Sequence, residues 1–407
     1  MASMDIAFHI PSRWDERAYL AGNPDVARAV EQGSMPNGWH HYFTYGKGEG
    51  RRGHWLDSAP SRMTRDCRDP WNYLEITDSH GLKPCCKIPP IAHWQPGGPS
   101  IGELRDGQPF RALRKSLLTG YLGPICKQCH IRAEIPVDVD PDGPSVVPAV
   151  DHDAGPKAGP LRELRIEATT RCNLRCVYCA VSQPGYAGVD MSEEVFADVL
   201  KLADTLPRNT HIMVNGHGET TFHPNWQMLC DGLTARGFRP SIITNLARPL
   251  TAAESQSLAR FVVIQISIDT ADEELLAQLR RRVKLSTIVD NIARIRAAAV
   301  SLHIQPPKFA LSCGVFDVTF DGLERLADFA IAHKMHSVTF WELVKYPDIP
   351  GALNTNSVST LPAHDIARAV TCIDTALDKL QKAAVDTEVA GDFLDRWRRS
   401  GAAQLSV

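Results

Sequence analysis

Cys172, Cys176 and Cys179 lie in the stretch RCNLRCVYC with the spacing C-x3-C-x2-C. Three thiols so close together can hold three irons of a 4Fe–4S cube. The residues that follow, AVSQPGYAGVD, offer no fourth Cys or His. A closed structural zinc site normally takes four protein ligands, and most iron–sulfur clusters take four thiolates. A three-thiolate cluster therefore leaves one iron open for a substrate or cofactor.

The elements that must position this loop can be read from residue 161 onward. Leu161–Glu167 is a predicted strand leading into the cysteines, and Ser192–Leu206 is a helix with Ser192 as its N-cap and a helical apolar period. Further strands are expected at His211–Asn215, Pro240–Thr244, Val262–Ile268, Lys308–Ser312 and Ser337–Trp341. Helices are expected between them near 224–236, 252–260, 271–299 and 321–333, and terminal helices at 362–387 and 390–402. Strands alternating with helices imply parallel βαβ units with right-handed crossovers. Ligands of such sheets sit at the C-terminal strand ends, where the cysteine loop falls.

The cysteine spacing resembles that of the radical S-adenosylmethionine (radical SAM) family, and later strand ends follow the family's order. Asn215-Gly216-His217-Gly218-Glu219 is similar to its GGE segment, with His217 in place of the usual first Gly and Thr220 in place of the frequent Pro. Thr244-Asn245 ends the third strand, and Ser267-Ile268-Asp269 resembles the family's S-x-D segment near the ribose. Of Arg280, Arg281 and Arg282, the resemblance is carried to Arg282 as partner of the cofactor carboxylate, and Tyr178 matches the aromatic beside the adenine. The resemblance thus implies cofactor contacts from Tyr178, Gly216, Gly218, Glu219, Asn245, Ser267, Asp269 and Arg282. It implies S-adenosylmethionine on the open iron, an external one-electron reductant such as flavodoxin or ferredoxin, and a 5′-deoxyadenosyl radical that takes hydrogen from a C–H bond.

A second cysteine group precedes the first. CRDPWNYLEITDSHGLKPCC and LRKSLLTGYLGPICKQC resemble the opening and close of a SPASM/twitch auxiliary domain. That resemblance implies a second 4Fe–4S cluster on Cys67, Cys85, Cys126 and Cys129, with Cys86 a neighbour or alternate of Cys85; a zinc ribbon is the other reading of the C-x2-C pair. Such domains usually follow the core, whereas this one comes first. The expected fold is α/β: a partial (β/α)6 radical SAM barrel at 161–345, a small cysteine-rich α+β domain at 59–136, a linker at 137–160, a short helical module at 1–58 and a C-terminal helical segment at 346–407. The first module, with NPDV and HYFTYGKGEGR, resembles a short helical segment found beside glycan-processing domains.

Composition narrows the remaining classes. A formal net charge of −3 gives no basic footprint for nucleic acid. No apolar run reaches the roughly 18–20 residues of a membrane span, and Met1–Asp15 has no signal-peptide core. Of eleven cysteines, seven fall in tight clusters or a CC pair, which reads as metal binding in a reducing, cytoplasmic setting rather than disulfides. Cys313, near the end of the fifth strand, is a candidate hydrogen donor to a substrate radical; Glu342, Lys345 and Tyr346 follow the sixth strand as candidate pocket residues. Cys230 and Cys372 read as core. The expected reaction is oxidation or epimerisation of a small polar, sugar-like or glycan-type substrate, with a ribosomal-peptide maturase as the alternative and a non-catalytic iron–sulfur or zinc scaffold as the reading from another class.

Overall fold

A computed structural model describes residues 14–55, 62–137, 157–281, 283–343 and 355–402. They form two compact units. The larger takes in Tyr73–Cys86, Pro90–Leu104 and the chain from Pro160; the smaller takes in the chain up to Asn72, Lys87–Pro89 and Arg105–Gly159.

The larger unit is a ten-stranded sheet. Its strands are β1 (Tyr73–Ile76), β2 (Gly81–Lys83), β3 (Ala92–His93), β4 (Glu163–Ile166), β5 (His211–Val214), β6 (Ser241–Thr244), β7 (Val263–Ser267), β8 (Lys308–Val315), β9 (Ser337–Glu342) and β10 (Asp386–Val389). In space they run β10-β9-β8-β7-β6-β5-β4-β1-β2-β3. All pairs from β10 to β1 are parallel, and only the β1–β2 and β2–β3 pairs are antiparallel. The order β4 to β9 is the expected six-strand βα array, and the sheet does not close on itself, as a partial barrel requires.

The crossover helices form where sequence signals them. Helix α1 (Glu193–Thr205) carries Glu193 and Glu194 in its first turn, where acids suit the helix dipole, and buries Val195, Phe196, Val199 and Leu202 on one face. Helix α2 is Trp226–Ala235. Helix α3 (Ala252–Ala259) opens with a capping box between Thr251 and Glu254. The single helix expected over 271–299 is two: α4 (Glu273–Arg280), capped by Asp272, and α5 (Leu285–Ser301). The break falls at Arg281, whose φ of +45° is left-handed and cannot continue an α-helix. Helices α6 (Leu323–Ala332), α7 (Ala363–Lys382) and α8 (Phe393–Ala402) complete the set.

Two features depart from expectation. The C-terminal segment is not purely helical, because β10 lies between α7 and α8 and pairs with β9. The boundaries expected at 59–136 do not coincide with a unit either: β1 pairs in parallel with β4, so this part of the cysteine-rich segment belongs to the large sheet. Tyr73, Leu74 and Ile76 are buried, and so apolar a strand needs neighbours on both edges.

In the smaller unit, the helices Glu16–Gly22, Pro24–Glu31 and Gly38–His41 gather Trp14, Tyr19, Val26, Trp39 and Tyr42 into a core. The NPDV and GEGR motifs are two halves of one lock. Arg51 donates from Nη1 to Asn23 Oδ1 (3.0 Å) and makes a two-point contact with Asp25 (2.9 and 2.7 Å). Farther on, Arg62–Arg65 pairs antiparallel with Glu134–Val137. Cys67 and Cys126 pack there on Trp71, Leu117 and Leu122. Cys85 and Cys86 belong to the larger unit.

Candidate active site at the strand ends

The loop after β4 carries the three cysteines. Leu174 N–H donates to Cys172 Sγ at 3.4 Å, and Cys176 is buried. Burial pushes the Cys172 thiol up to about 11 and the Cys176 thiol up to about 12, with the neighbouring cysteines adding to both. Such thiols are inert as nucleophiles near neutrality and become ligands when a metal displaces their protons. Among the described residues, no three His, Cys, Asp or Glu side chains converge on one ion position. The donor set, three neighbouring thiols on one strand-end loop with a backbone N–H aimed at one sulfur, fits the chemistry of an iron–sulfur cluster.

The loop after β5 is pressed against the cysteine loop. A Cβ on Gly216 would fall 2.2 Å from Glu167 Cγ, and one on Gly218 would fall 2.4 Å from the Arg171 carbonyl oxygen, so only glycine allows this approach. The Glu219 carboxylate turns inward. It accepts from Thr221 N (3.2 Å), Thr221 Oγ1 (2.8 Å), Thr244 Oγ1 (2.8 Å) and Asn245 N (2.7 Å). Asn245 in turn donates to Asn173 Oδ1 at 2.9 Å and lies 3.9 Å from Cys172 Sγ, joining the third strand end to the cysteine loop.

Glu167, which the motif reading passed over, holds His217. Its buried carboxylate accepts from His217 N (2.7 Å) and Nδ1 (2.9 Å), while the imidazole stays largely exposed at the strand ends. Burial would raise the Glu167 carboxyl, but the hydrogen bonds from His217 outweigh it and hold it below the ordinary range. The same hydrogen bond lifts His217 above the ordinary imidazole value, outweighing the partial loss of water on the side of the ring that faces Glu167. The raised His contributes stability below its unfolded value of 6.5 and loses it as pH rises through its folded value. The lowered Glu contributes above 4.5 and loses it as pH falls through its folded value. The pair therefore helps the fold most between about pH 4.5 and 6.5. Glu167→Gln is expected to lower the His217 pKa, as read from its imidazole protons by NMR; an unmoved titration would mean that the pair does not form in solution.

Asp269 is fully buried at the end of β7. Arg280 donates to it from Nε (2.8 Å) and Nη2 (3.0 Å), Gly314 N–H donates at 3.1 Å, and the Tyr178 hydroxyl donates to Oδ2. Both carboxylate oxygens and the Tyr178 hydroxyl are thus engaged inside the protein. Arg282, to which the carboxylate contact was carried, lies outside the described residues, as do Lys345 and Tyr346. Glu342 is not a pocket group: it accepts from Ser359 N (3.0 Å), Trp397 Nε1 (3.1 Å) and Arg396 Nη2 (2.9 Å), and so anchors α8.

Cys313 corrects an expectation. It is fully buried, with its thiol on the Asp269 carbonyl oxygen at 3.6 Å. Strand pleating puts Ser312 and Gly314 on one face and Cys313 on the other. Trp341 Nε1 donates to Ser312 Oγ (3.1 Å) on the first of these faces, so the Cys313 thiol is turned away from it.

That first face is the one the helices leave uncovered. Along the sheet, buried Leu164, Ile166, Ile212, Val214, Ile242, Ile264 and Ile266 alternate with half-buried residues on the opposite face. The half-buried set is largely polar. Arg165 lies beside Glu163 (2.8 Å), Lys83 donates to Glu75 (2.6 Å), and Gln265 Nε2 donates to Thr339 Oγ1 (3.4 Å). Ser267, at the end of β7, shares this face with Gln265.

Residues 166–330 match the radical SAM superfamily. A GTP 3′,8-cyclase of Rhodobacter capsulatus is 32% identical over 196 residues, 47% of this chain and 55% of that protein. A tungsten-containing aldehyde ferredoxin oxidoreductase cofactor-modifying protein of Pyrococcus furiosus is 34% identical over 85 residues, 21% of this chain and 24% of that one. The chain therefore spans about half or less of these relatives' length. Among solved structures, Streptococcus suis SuiB bound to S-adenosylmethionine superposes with a TM-score of 0.44 at 16% identity, covering 56% of this chain and 50% of that one.

Proposed function

We propose, from the radical SAM domain this chain carries at residues 166–330, that it cleaves S-adenosylmethionine reductively and removes hydrogen from a C–H bond of a small polar substrate. Cys172, Cys176 and Cys179 would hold the cluster. The backbone at Gly216 and Gly218 and the side chains at the ends of β6 and β7 would form the cofactor's surroundings. When bound, the cluster and S-adenosylmethionine supply a 5′-deoxyadenosyl radical, which is the cofactor's chemistry rather than the protein's. What the chain adds is a polar surface and an oriented imidazole.

The observation that carries the substrate class is the uncovered sheet face, where Arg165, Glu75, Lys83, Gln265, Ser312 and Thr339 offer donors and acceptors to a hydroxyl-rich or charged molecule. The cyclase relatives, by their name, act on GTP, itself small and polar. Oxidation is favoured over epimerisation, because epimerisation needs a hydrogen donor and the Cys313 thiol is turned off this face. The second cluster, on Cys67, Cys85, Cys126 and Cys129, belongs to this proposal as the electron acceptor of an oxidation.

Anaerobic reconstitution followed by reduction tests the reading. Expected are about eight irons per chain for two cubes and formation of 5′-deoxyadenosine. Near-stoichiometric zinc without cleavage would instead support a metal-bound scaffold. Candidate carbinols carrying deuterium at the reacting carbon should then pass label into 5′-deoxyadenosine; transfer from peptides alone would move the assignment to a peptide maturase.

A further inference from the structure

The cluster loop is gripped from behind at one point, between its second and third cysteines. Val177 N–H donates to the Leu279 carbonyl oxygen at 2.9 Å, which ties the loop's main chain to the last turn of α4. Next to it, Tyr178 sends its hydroxyl to Asp269 and lays its ring 5.5 Å from Phe316. The Arg280 guanidinium lies 5.8 Å from the centre of that ring while it closes both hydrogen bonds on Asp269. Gly314 N–H occupies the carboxylate from the β8 side, and a Cβ there would crowd both Trp341 (2.9 Å) and Asp269 (3.1 Å). The helix carrying Arg280 stops at once, with Arg281 at φ +45°. A non-glycine residue holds that conformation only where its surroundings enforce it.

We infer that Asp269, Arg280 and Tyr178 form a brace whose task is to position Cys176 and Cys179 for the cluster. The ends of β7 and β8, the end of α4 and the cysteine loop meet on one buried carboxylate. Asn245 ties the start of this loop through Asn173, and the brace ties the stretch that carries the second and third ligands. On this reading Tyr178 and Asp269 act through the cysteines and are positioning residues, with no direct contact to adenine or ribose required of them.

The test compares wild type, Tyr178→Phe and Leu233→Ala after anaerobic reconstitution. Tyr178→Phe keeps the ring on Phe316 and leaves Asp269 its bonds to Arg280 and Gly314, so it removes one hydrogen bond and nothing else. Leu233→Ala creates a cavity in α2, remote from the loop, and serves as a control for general destabilisation. The measurements are iron release to a ferrous chelator and the EPR signal of the reduced cluster that changes on adding S-adenosylmethionine. Release from Tyr178→Phe is expected to be about tenfold faster than from wild type, the lower end of the effect of one hydrogen bond to a charged group. Its cofactor-dependent EPR signal is expected to shift, while Leu233→Ala matches wild type in both. Wild-type values in Tyr178→Phe, or the same changes in Leu233→Ala, would overturn the brace. Wild type whose iron does not depend on Cys172, Cys176 and Cys179 would overturn the cluster reading as well.

Discussion

Cys176→Ala is expected to fold and to lose the core cluster together with all reductive cleavage of S-adenosylmethionine. The side chain is small and almost fully buried, so its truncation costs the fold on the order of 1 kcal/mol. Its loss to the cluster is of another kind. Three thiolates already leave one iron without a protein ligand, and a second open iron removes both the charge balance and the fixed placement of the cube. Cleavage should fall by more than ~100-fold, beyond what loss of a supporting residue around a metal site costs. Cys230→Ala is the matched comparison. That thiol is fully buried in α2, burial raises its pKa far out of range, and nothing places it near the loop. It should retain iron and cleavage with a similar small loss of stability. If Cys176→Ala still makes 5′-deoxyadenosine at the wild-type rate, the three cysteines do not form the centre. Iron per chain and 5′-deoxyadenosine by chromatography decide the matter.

The frame of this site was legible because its signals are local. Cysteine spacing is a property of eight consecutive residues, and the β4–β9 strands announce themselves as short apolar runs between stretches of helical period. What escaped was whatever depends on a neighbour far away in sequence. Asp386–Val389 reads as polar because it is an edge strand, three of whose four side chains face solvent. Tyr73–Ile76 reads as a strand, but its partner β4 lies about ninety residues on, beyond a stretch with no periodicity. Within the site, the order of the motifs located Glu219, Asn245 and Asp269 at strand ends and said nothing of which way their side chains turn. Direction is set by tertiary hydrogen bonds: Arg280 reaches Asp269 because a backbone reversal follows it, and three adjacent arginines look alike without that reversal. Glu167 had one weak signal: in LRELRIE it falls in step with the charged Glu163 and Arg165, and only its place at the strand end, just before the cysteines, sets it apart. Buried carboxylates are kept only when paired, so an acid in that place predicts a partner, and His217 is the one the structure supplies.

Glu219→Ala is expected to be among the most destabilising single changes in the larger unit. Its carboxylate is 3% exposed and satisfies two backbone N–H groups and two hydroxyls drawn from the loops after β5 and β6. Truncation strands all four donors where water does not reach, at about 1–3 kcal/mol for each one that finds no other partner. Some relaxation is inevitable, so a total of about 3–5 kcal/mol is the expected loss, comparable with breaking a buried charged pair. For a unit of this size that lowers the melting temperature by about 10 °C. Thr244→Val removes one donor from Glu219 and the acceptor of Leu246 N–H (3.2 Å), and should cost about 1–3 kcal/mol, less than Glu219→Ala. The competing role for Glu219 is direct contact with the methionine amino group of the cofactor, and the two roles separate cleanly. A carboxylate that serves as an internal anchor gives Glu219→Gln a lower melting temperature in the absence of S-adenosylmethionine. A carboxylate that serves the cofactor leaves that temperature unchanged and weakens S-adenosylmethionine binding, measured by calorimetry, while Thr244→Val binds as wild type does. The inward geometry predicts the first result: Glu219 shapes the loop, and the glycine-lined backbone around it is what remains to meet the ligand.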